Sequence, residues 1–266
     1  MPELKYIFND SEHSRELERL RAIEEVFDPA SRKRLLAAGL STGWQCLEVG
    51  AGAGSIMRWM ADVVGESGRV TAVDTDTRFL ESAGLSNVEV FNADVRHLDI
   101  ENGTFDLVHS RYVLIHIADF DVVLQKMLGL LKPGGWIVIE EPDFSTARAI
   151  VGDKAECESV TRLNQAIFQM FANRGIDCSL GVRLPSIFQK LGLQEFFVEN
   201  DVPLSKGGSG VARVMRMSAE QLAEKYVATG KVSYEDIQRY SAFSESPDSW
   251  AVYYSTVGVI CRKGTI

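Results

Sequence analysis

The feature that most constrains the fold of this chain is a short apolar run that ends in alternating glycines. Residues 46–54 read C-L-E-V-G-A-G-A-G, and a second apolar run, residues 70–73, ends at Asp74. Glycine lets a backbone pass close to a ligand without side-chain collision, and a carboxylate at the tip of the neighbouring strand can accept hydrogen bonds from both ribose hydroxyls. Together the two features predict a binding site for a nucleotide-type cofactor.

The details of the glycine loop distinguish between cofactors. A dinucleotide fingerprint has the pattern G-x-G-x-x-G, and counting from Gly50 puts Ser55 at the third glycine position. Glu48, two residues before Gly50, would repel a diphosphate and would suit a cofactor that carries a positive charge. S-adenosylmethionine, with its sulfonium and α-ammonium groups, is such a cofactor.

At these motifs the chain resembles the class I S-adenosylmethionine-dependent methyltransferases, in particular the UbiE-like group that acts on small molecules, over roughly residues 39–141. The resemblance implies that the glycine loop holds the methionine end of the cofactor, that Asp74 holds the ribose and that Asp94 reads the adenine amino group. A leader segment would fold over the site. The expected cofactor-binding residues are Tyr6, Glu48, Gly50, Gly52, Gly54, Asp74, Thr75, Asp94, Val95 and Ser110.

The resemblance also implies an α/β fold with a Rossmann-like, seven-stranded mixed sheet in the order 3-2-1-4-5-7-6. The last strand would be antiparallel, and helices would cover both faces. We expect an N-terminal helical leader over residues 1–38, a core over 39–200 and 248–266, and a helical insertion or lid over 201–247.

Periodicity and turn signals give the individual elements. Leu17, Leu20, Ile23 and Phe27 recur at helical spacing, which predicts an amphipathic helix over residues 14–26 with charged residues on its other face. Asp28-Pro29 would start a second helix that runs through Ala38, with Gly39 as its C-terminal stop. The alternation that follows predicts strands over 45–49, 69–73, 88–91, 105–109 and 136–140, and helices over 55–64, 76–83 and 120–131. A Lys-Pro-Gly-Gly turn over 132–135 would mark entry to the fifth strand.

Beyond residue 141 the pattern changes. We expect helices over 155–174 and 183–191, a strand over 195–198 and a Gly/Ser hinge over 205–210. Ser218 would open a helix that runs to about residue 228, and Ser233 would cap a shorter helix that ends before Pro247. A long strand over 250–261 would complete the sheet.

Composition excludes several classes of partner. A formal net charge of −9 provides no basic surface for a phosphate backbone, so we expect no nucleic-acid partner. No apolar run approaches the roughly 20 residues that cross a bilayer, and the first ten residues lack a secretion-signal pattern, so we expect no membrane association and a cytoplasmic location. The four cysteines have no C-x-x-C spacing, and we expect neither a metal site nor a disulfide framework.

The methyl acceptor would meet the residues after the fourth strand. His116 is the best general-base candidate because an unperturbed histidine has a pKa near 6.5, although a lone histidine in an apolar run can equally be structural. Arg111 and Tyr112 would line the substrate mouth, or Arg111 would pair with an acid instead. Glu141 would contact the substrate or belong to a solvated acidic rim, and Phe171 would form part of an apolar lid or of the ordinary core.

The chain lacks the D/N-P-P-aromatic motif of DNA amino-methyltransferases and the paired-glutamate loop of protein arginine methyltransferases. It also lacks the acidic set of metal-dependent catechol-type enzymes, so metal-independent methylation of a small apolar or aromatic molecule at O, N or C is the function we expect. The alternatives are an NAD(P)-dependent oxidoreductase and a catalytically silent methyltransferase-like subunit that stabilises a partner. The insertion is also a route to a homodimer, and the sequence does not decide between lid and dimer contact.

Overall fold

The computed structural model describes residues 6–8, 12–80 and 84–265. The helices are α1 (His13–Ala37), α2 (Ser55–Val64), α3 (Phe120–Leu130), α4 (Lys154–Asn173), α5 (Leu180–Lys190), α6 (Gly210–Gln221), α7 (Ala223–Val227) and α8 (Tyr234–Glu245). The strands are β1 (Gln45–Val49), β2 (Arg69–Asp74), β3 (Val88–Asn92), β4 (Phe105–Arg111), β5 (Leu131–Asp143), β6 (Arg148–Val151), β7 (Gln194–Asp201), β8 (Ser205–Lys206), β9 (Trp250–Val252) and β10 (Ser255–Arg262).

The main sheet has seven strands in the order β3-β2-β1-β4-β5-β10-β7, and β10 runs antiparallel to both of its neighbours. Counted along the chain, these seven strands have the order 3-2-1-4-5-7-6, so the predicted topology is confirmed. The sequence did not predict a second, three-stranded sheet in the order β6-β9-β8. Its strands β8 and β9 come from segments predicted as a hinge and as the start of a longer strand.

The central strands are apolar because helices cover both faces of the sheet. In β1 and β2, residues Cys46, Leu47, Val70 and Ala72 are fully buried. The neighbouring strands β3, β2, β1 and β4 run parallel to one another. The carboxyl ends of β1, β2 and β4 therefore lie at one edge of the sheet. The glycine loop and Asp74 come directly after β1 and at the end of β2, which places them at this edge as predicted.

The prediction of two leader helices was wrong, because α1 continues through Pro29. A proline inside a helix removes one backbone hydrogen bond, here to the carbonyl of Glu25. Glu25 and Pro29 are both exposed, so water can satisfy the freed carbonyl. Asp28 does not cap a helix; its carboxylate is buried and binds Ser55 and Arg111.

Two other predicted elements differ locally. Residues 76–77 of the predicted helix 76–83 have no regular secondary structure, residues 78–80 form a turn, and residues 81–83 lie outside the described residues. The carboxylate of Asp74 accepts from Asp76 N, and such side-chain-to-backbone bonds compete with helix formation. The predicted turn at 132–135 is a bulge within β5, since Phe105 pairs with Leu131 and Leu107 pairs with Trp136.

The insertion also differs from prediction. Ser218 lies inside α6, where its hydroxyl donates to Val214 O, and Ser209 caps this helix instead. Gly207 is not a free hinge, because a Cβ there would lie 2.0 Å from Ser246 O. The predicted capping box of Ser233 and Asp236 at the start of α8 is confirmed.

The leader and the insertion pack together over the carboxyl edge of the sheet. Helix α1 lies against α6, with Arg213 Nη2 3.2 Å from Glu18 Oε1 and Gln221 Nε2 donating to Arg15 O at 3.0 Å. Lys225 of α7 donates to the carbonyl of Ile7. These contacts position the leader residues 6–8 over the space beyond the glycine loop. None of the helices described here combines the length and apolarity needed to cross a bilayer.

Candidate active site

A cavity of about 1180 Å³ opens at the carboxyl ends of β1, β2 and β4, beneath the leader and the insertion. Most of the predicted site residues line it: Tyr6, Glu48, Gly50, Gly52, Asp74, Thr75, Asp94, Val95, Arg111, Tyr112, His116 and Phe171. Three predicted residues lie behind its wall. Gly54 is the N-cap of α2, Ser110 is fully buried in β4, and Glu141 is fully buried in β5.

The glycines of the loop serve different purposes. Gly50 has φ +75°, and a Cβ there would lie 2.1 Å from Val113 Cγ2, so this glycine is required by protein packing. Gly52 has φ +58°, and the nearest atom to a Cβ there would be Leu20 Cδ2 at 3.6 Å. Gly52 therefore leaves room on the cavity side, which is what a backbone that approaches a ligand requires.

Asp74 anchors this loop. Its Oδ2 accepts from Gly52 N and its Oδ1 accepts from Asp76 N, both at 2.9 Å. Burial raises the pKa of Asp74, while these two N–H donors act in the opposite direction. Each carboxylate oxygen has a further lone pair, so Asp74 can still accept from hydroxyl groups in the cavity.

Carboxylates of α1 occupy the N-terminus of α2. Ser55 N donates to Glu24 Oε1 and the Ser55 hydroxyl donates to Asp28 Oδ1, each at 3.0 Å. In dinucleotide-binding folds this helix end receives the pyrophosphate. Here Glu24 already accepts from the first N–H of the helix and Asp28 lies beside it, and these two negative charges disfavour a diphosphate at the same position. Nothing in the sequence singles out Glu24, because it lies on the charged face of a predicted leader helix, far in sequence from the glycine loop.

Asp94 lines the cavity but is tied to a cation that the sequence analysis did not single out. Arg96 Nε lies 3.0 Å from both carboxylate oxygens, and Arg96 Nη1 also donates to Asp119 at 2.8 Å. Burial would raise the pKa of Asp94, but the hydrogen bonds from Arg96 outweigh it and lower that pKa. The adenine-reading role of Asp94 stays a prediction.

His116 lies in the wall between two aromatic rings. The Tyr6 ring meets it edge-on at 5.1 Å between centroids, and the Phe171 ring stacks at 6.3 Å. Its Nδ1 is buried and has no hydrogen-bond partner within the described part of the chain. Burial, together with the nearby Arg19 and Arg174 cations, lowers the pKa of His116 to about 3. His116 is therefore a neutral imidazole that can accept a hydrogen bond but holds a proton weakly.

The leader brings an ion pair into the same wall. Arg19 Nη2 lies 2.7 Å from Glu16 Oε1 and donates to the Tyr6 hydroxyl at 2.8 Å, and its guanidinium lies 3.7 Å from the centre of the Phe8 ring. Arg19 and Glu16 are only 4% and 2% exposed. The helical periodicity predicts only that charged residues lie on the face away from the apolar stripe, and it does not indicate that these two are buried. They hold Tyr6 and Phe8 in place over the cavity.

Three predicted substrate residues have protein partners. Arg111 donates to Asp28 Oδ1 at 3.0 Å and to the Ser31 hydroxyl at 2.9 Å, so it pairs with an acid, although that acid is buried rather than on the surface. The Tyr112 hydroxyl bonds to Thr256 Oγ1. Glu141 accepts from the backbone N–H groups of residues 113–115, and burial raises its pKa to about 8 against the effect of these donors.

His109, in β4, lies between two buried carboxylates. Its Nε2 lies 3.2 Å from Glu140 Oε1 and its Nδ1 lies 3.6 Å from Glu48 Oε1. Burial acts to lower the pKa of His109, but the interactions with Glu140 and Glu48 outweigh it and leave that pKa raised. Glu140 also binds Arg34 at 2.6 Å. Burial acts to raise the pKa of Glu140, but His109 and Arg34 outweigh it and lower that pKa to about 2. These residues form a buried charged group behind the cavity.

Comparison with known families identifies residues 47–139 as a match to a family described as a methyltransferase domain. Among curated proteins, the chain is 33% identical over 121 residues to demethylmenaquinone methyltransferase of Staphylococcus aureus strain MRSA252. That match covers 43% of this chain and 50% of the relative. The chain spans about half the length of the curated relatives it matches.

Solved structures share the fold. One is phosphoethanolamine N-methyltransferase 2 of Haemonchus contortus, solved with phosphomonomethylethanolamine and S-adenosylhomocysteine. The two structures have a TM-score of 0.62 at 19% sequence identity, and the alignment covers 97% of this chain and 59% of that chain. The [4+2]-cyclase SpnF has a TM-score of 0.56 at 18% sequence identity, and the alignment covers 91% of this chain and 82% of that chain. Since one of these neighbours is named as a cyclase, the shared fold does not by itself decide the reaction.

Proposed function

We propose that the chain binds S-adenosylmethionine at the ends of β1 and β2 and methylates a small, largely apolar or aromatic acceptor at O, N or C. The match of residues 47–139 to the methyltransferase-domain family and the strand order of the main sheet support this proposal. The single observation that carries the choice of cofactor is the acidic environment of the glycine loop. Glu48 faces the cavity with a buried Oε2 that has no partner among the described residues, and Glu24 caps α2. A cationic donor suits this environment and a diphosphate does not.

The cavity wall opposite the glycine loop supports an apolar or aromatic acceptor. It is lined by Tyr6, Tyr112, Phe144, Phe171, Tyr226 and Tyr254, with Val214, Met215 and Leu222 of the insertion. Aromatic rings and aliphatic side chains offer apolar surface against which a ring or hydrocarbon of the acceptor can pack. The leader and insertion together cover this region, so they would exclude water once the acceptor is bound.

When bound, S-adenosylmethionine would supply an electrophilic methyl group: the acceptor atom would bond to the methyl carbon in line as the methyl–sulfur bond breaks. S-adenosylhomocysteine would be the leaving group, and a protonated acceptor would release its proton to solvent. The protein's contribution is to orient the two partners, and orientation alone can supply about 7–11 kcal/mol when the geometry is near attack. Glu48 and the loop hold one partner, and the aromatic wall holds the other. His116, as a neutral imidazole, can accept a hydrogen bond from an acceptor hydroxyl and so align it.

Calorimetry with S-adenosylmethionine, S-adenosylhomocysteine, NAD and NADP tests the cofactor. We expect binding of the first two and none of the dinucleotides, because the α2 N-terminus is occupied by carboxylates. Tighter binding of a dinucleotide would overturn the proposal. A screen with methyl-labelled cofactor then tests turnover; cofactor binding without transfer to any acceptor would favour the silent-subunit alternative.

His116→Ala is expected to lower kcat by about tenfold with little change in KM for cofactor, since a single hydrogen bond contributes about 0.5–1.5 kcal/mol. His116→Gln keeps an acceptor atom without a basic nitrogen and should retain most activity. Steady-state kinetics with the acceptor found in the screen would measure both. A loss of 100-fold or more in both variants would instead indicate a general base, and unchanged kinetics in both would leave His116 a structural residue.

A further inference from the structure

A row of alternating charges crosses the sheet beneath α1 and ends at the cavity. Arg34 donates to Glu140 at 2.6 Å, Glu140 lies 3.2 Å from His109, and His109 lies 3.6 Å from Glu48. The four side chains are between 0% and 6% exposed. Glu48 Oε1 faces His109, whereas Glu48 Oε2 has no hydrogen-bond partner within the described residues.

The backbone is arranged to accommodate this row. Glu48 stands opposite His109 in the pairing of β1 with β4, so the two side chains share a face. Gly258 of β10 stands opposite Glu140, and a Cβ at Gly258 would lie 2.1 Å from Arg34 Nε. The glycine leaves the slot through which Arg34 reaches Glu140.

The balance of charges along the row indicates at which end a cationic ligand would bind. A buried charge is costly unless an opposite charge lies beside it. Glu140 lies between two cations, Arg34 and His109, and His109 lies between two carboxylates. Within residues 6–8, 12–80 and 84–265, Glu48 forms an ion pair with one cation, His109, and Glu48 itself lines the cavity. A cationic group of a ligand beside Glu48 Oε2 would extend the alternation.

We propose that His109 is a positioning residue: as an imidazolium between Glu140 and Glu48, it holds the Glu48 carboxylate with Oε2 available to the α-ammonium group of the cofactor. The inference rests on the proposed function, since it takes S-adenosylmethionine as the ligand of this cavity. The titratable and charged groups that face His109 are Glu48 from β1 and Glu140 from β5, and Arg34 of α1 engages the far oxygen of Glu140.

His109→Gln tests this role with two matched ligands, S-adenosylhomocysteine and methylthioadenosine. Both are neutral thioethers with the same nucleoside, and only the first carries the α-ammonium group. Calorimetry should show S-adenosylhomocysteine bound about tenfold more weakly by the variant, the low end of what a hydrogen bond to a charged group contributes. Methylthioadenosine should change by less than about twofold, a difference well below 1 kcal/mol. Equal losses for both ligands, or no loss for either, would overturn the inference.

A double-mutant cycle separates positioning from general damage. In a Glu48→Gln background, His109→Gln should cause no further loss of S-adenosylhomocysteine, because the carboxylate that it positions is gone. Independent, additive losses would contradict the proposal. If the wild-type chain binds neither ligand, the proposed function fails and the inference with it; if it binds both but the variant does not discriminate between them, the inference alone fails.

A measurement on the wild-type chain covers the case in which His109→Gln does not fold. Proton–nitrogen correlation spectra of histidine-labelled protein report whether one or both ring nitrogens carry a proton. Single replacements of the other three histidines, His13, His97 and His116, assign the signals. We expect both nitrogens of His109 to be protonated at pH 7, and a neutral ring there would overturn the proposal.

Discussion

Gly52→Leu is expected to abolish binding of S-adenosylmethionine and to leave a folded chain. The Cβ of a residue at this position would lie 3.6 Å from Leu20, so a leucine fits beside the protein only by extending into the cavity. Under the proposed function, that volume belongs to the methionine end of the cofactor. Overpacking costs about 1–3 kcal/mol even where neighbours can shift, and we expect a loss of affinity of roughly 100-fold or more.

Gly103→Leu is the matched control for the backbone. Gly103 has φ +72°, close to that of Gly52, but nothing lies within 4 Å of its Cβ position. Both variants pay the strain of a leucine at positive φ, so both should lower the melting temperature to a similar extent. Only Gly52→Leu should lose the cofactor in calorimetry. Wild-type affinity in Gly52→Leu would mean that the cofactor binds elsewhere.

The parts of the fold that could be predicted from the sequence are those in which local pattern and burial agree. Strand β1 and helix α2 have the bounds that were predicted, because an apolar strand, a glycine loop and an amphipathic helix follow one another without competing signals. The capping box at Ser233 is likewise a local signal. The strand order came from the family resemblance, since no local pattern specifies which strands become neighbours.

The contacts that complete the site depend on residues far apart in sequence. Arg111 and Asp28 are 83 positions apart, and Arg34 and Glu140 are 106 apart. A proline at position 29 gave a correct local reason to end a helix, but these long-range ion pairs and the packing of α1 on the sheet outweigh one lost backbone bond. Propensity is overridden by tertiary contacts in this way.

Helix α1 is consequently part of the candidate site and not only a cover over it. Its residues Glu16 and Arg19 hold Tyr6 and Phe8 over the cavity. Glu24 accepts from the first N–H of α2, and Arg34 belongs to the charged row that reaches Glu48. In sequence these residues look like the solvated face of an amphipathic helix, but four of the ten carboxylates and guanidiniums of α1 are buried. Charged residues on one face of a helix therefore predict an exposed face only when the neighbouring elements carry no polar groups that can pair with them.

Asp74→Ala is expected to weaken S-adenosylmethionine binding by about 1.5–3 kcal/mol, the range for hydrogen bonds to a charged group. Asp74 lines the cavity at the end of β2, and its carboxylate oxygens have lone pairs left after accepting from Gly52 N and Asp76 N. Alanine removes both the acceptor proposed for the ribose hydroxyls and the anchor of the glycine loop. Calorimetry at fixed ionic strength measures the change.

Asp74→Asn separates these two contributions, because the amide keeps one oxygen that can accept from Gly52 N while the negative charge is lost. We expect its affinity to lie between those of the wild type and Asp74→Ala. Asp121→Ala, in the exposed first turn of α3, removes a carboxylate without touching the cavity and should bind as the wild type does. If Asp74→Ala also binds with wild-type affinity, the ribose is held elsewhere, and the charge-assisted contact at the end of β2 contributes nothing to recognition of the cofactor.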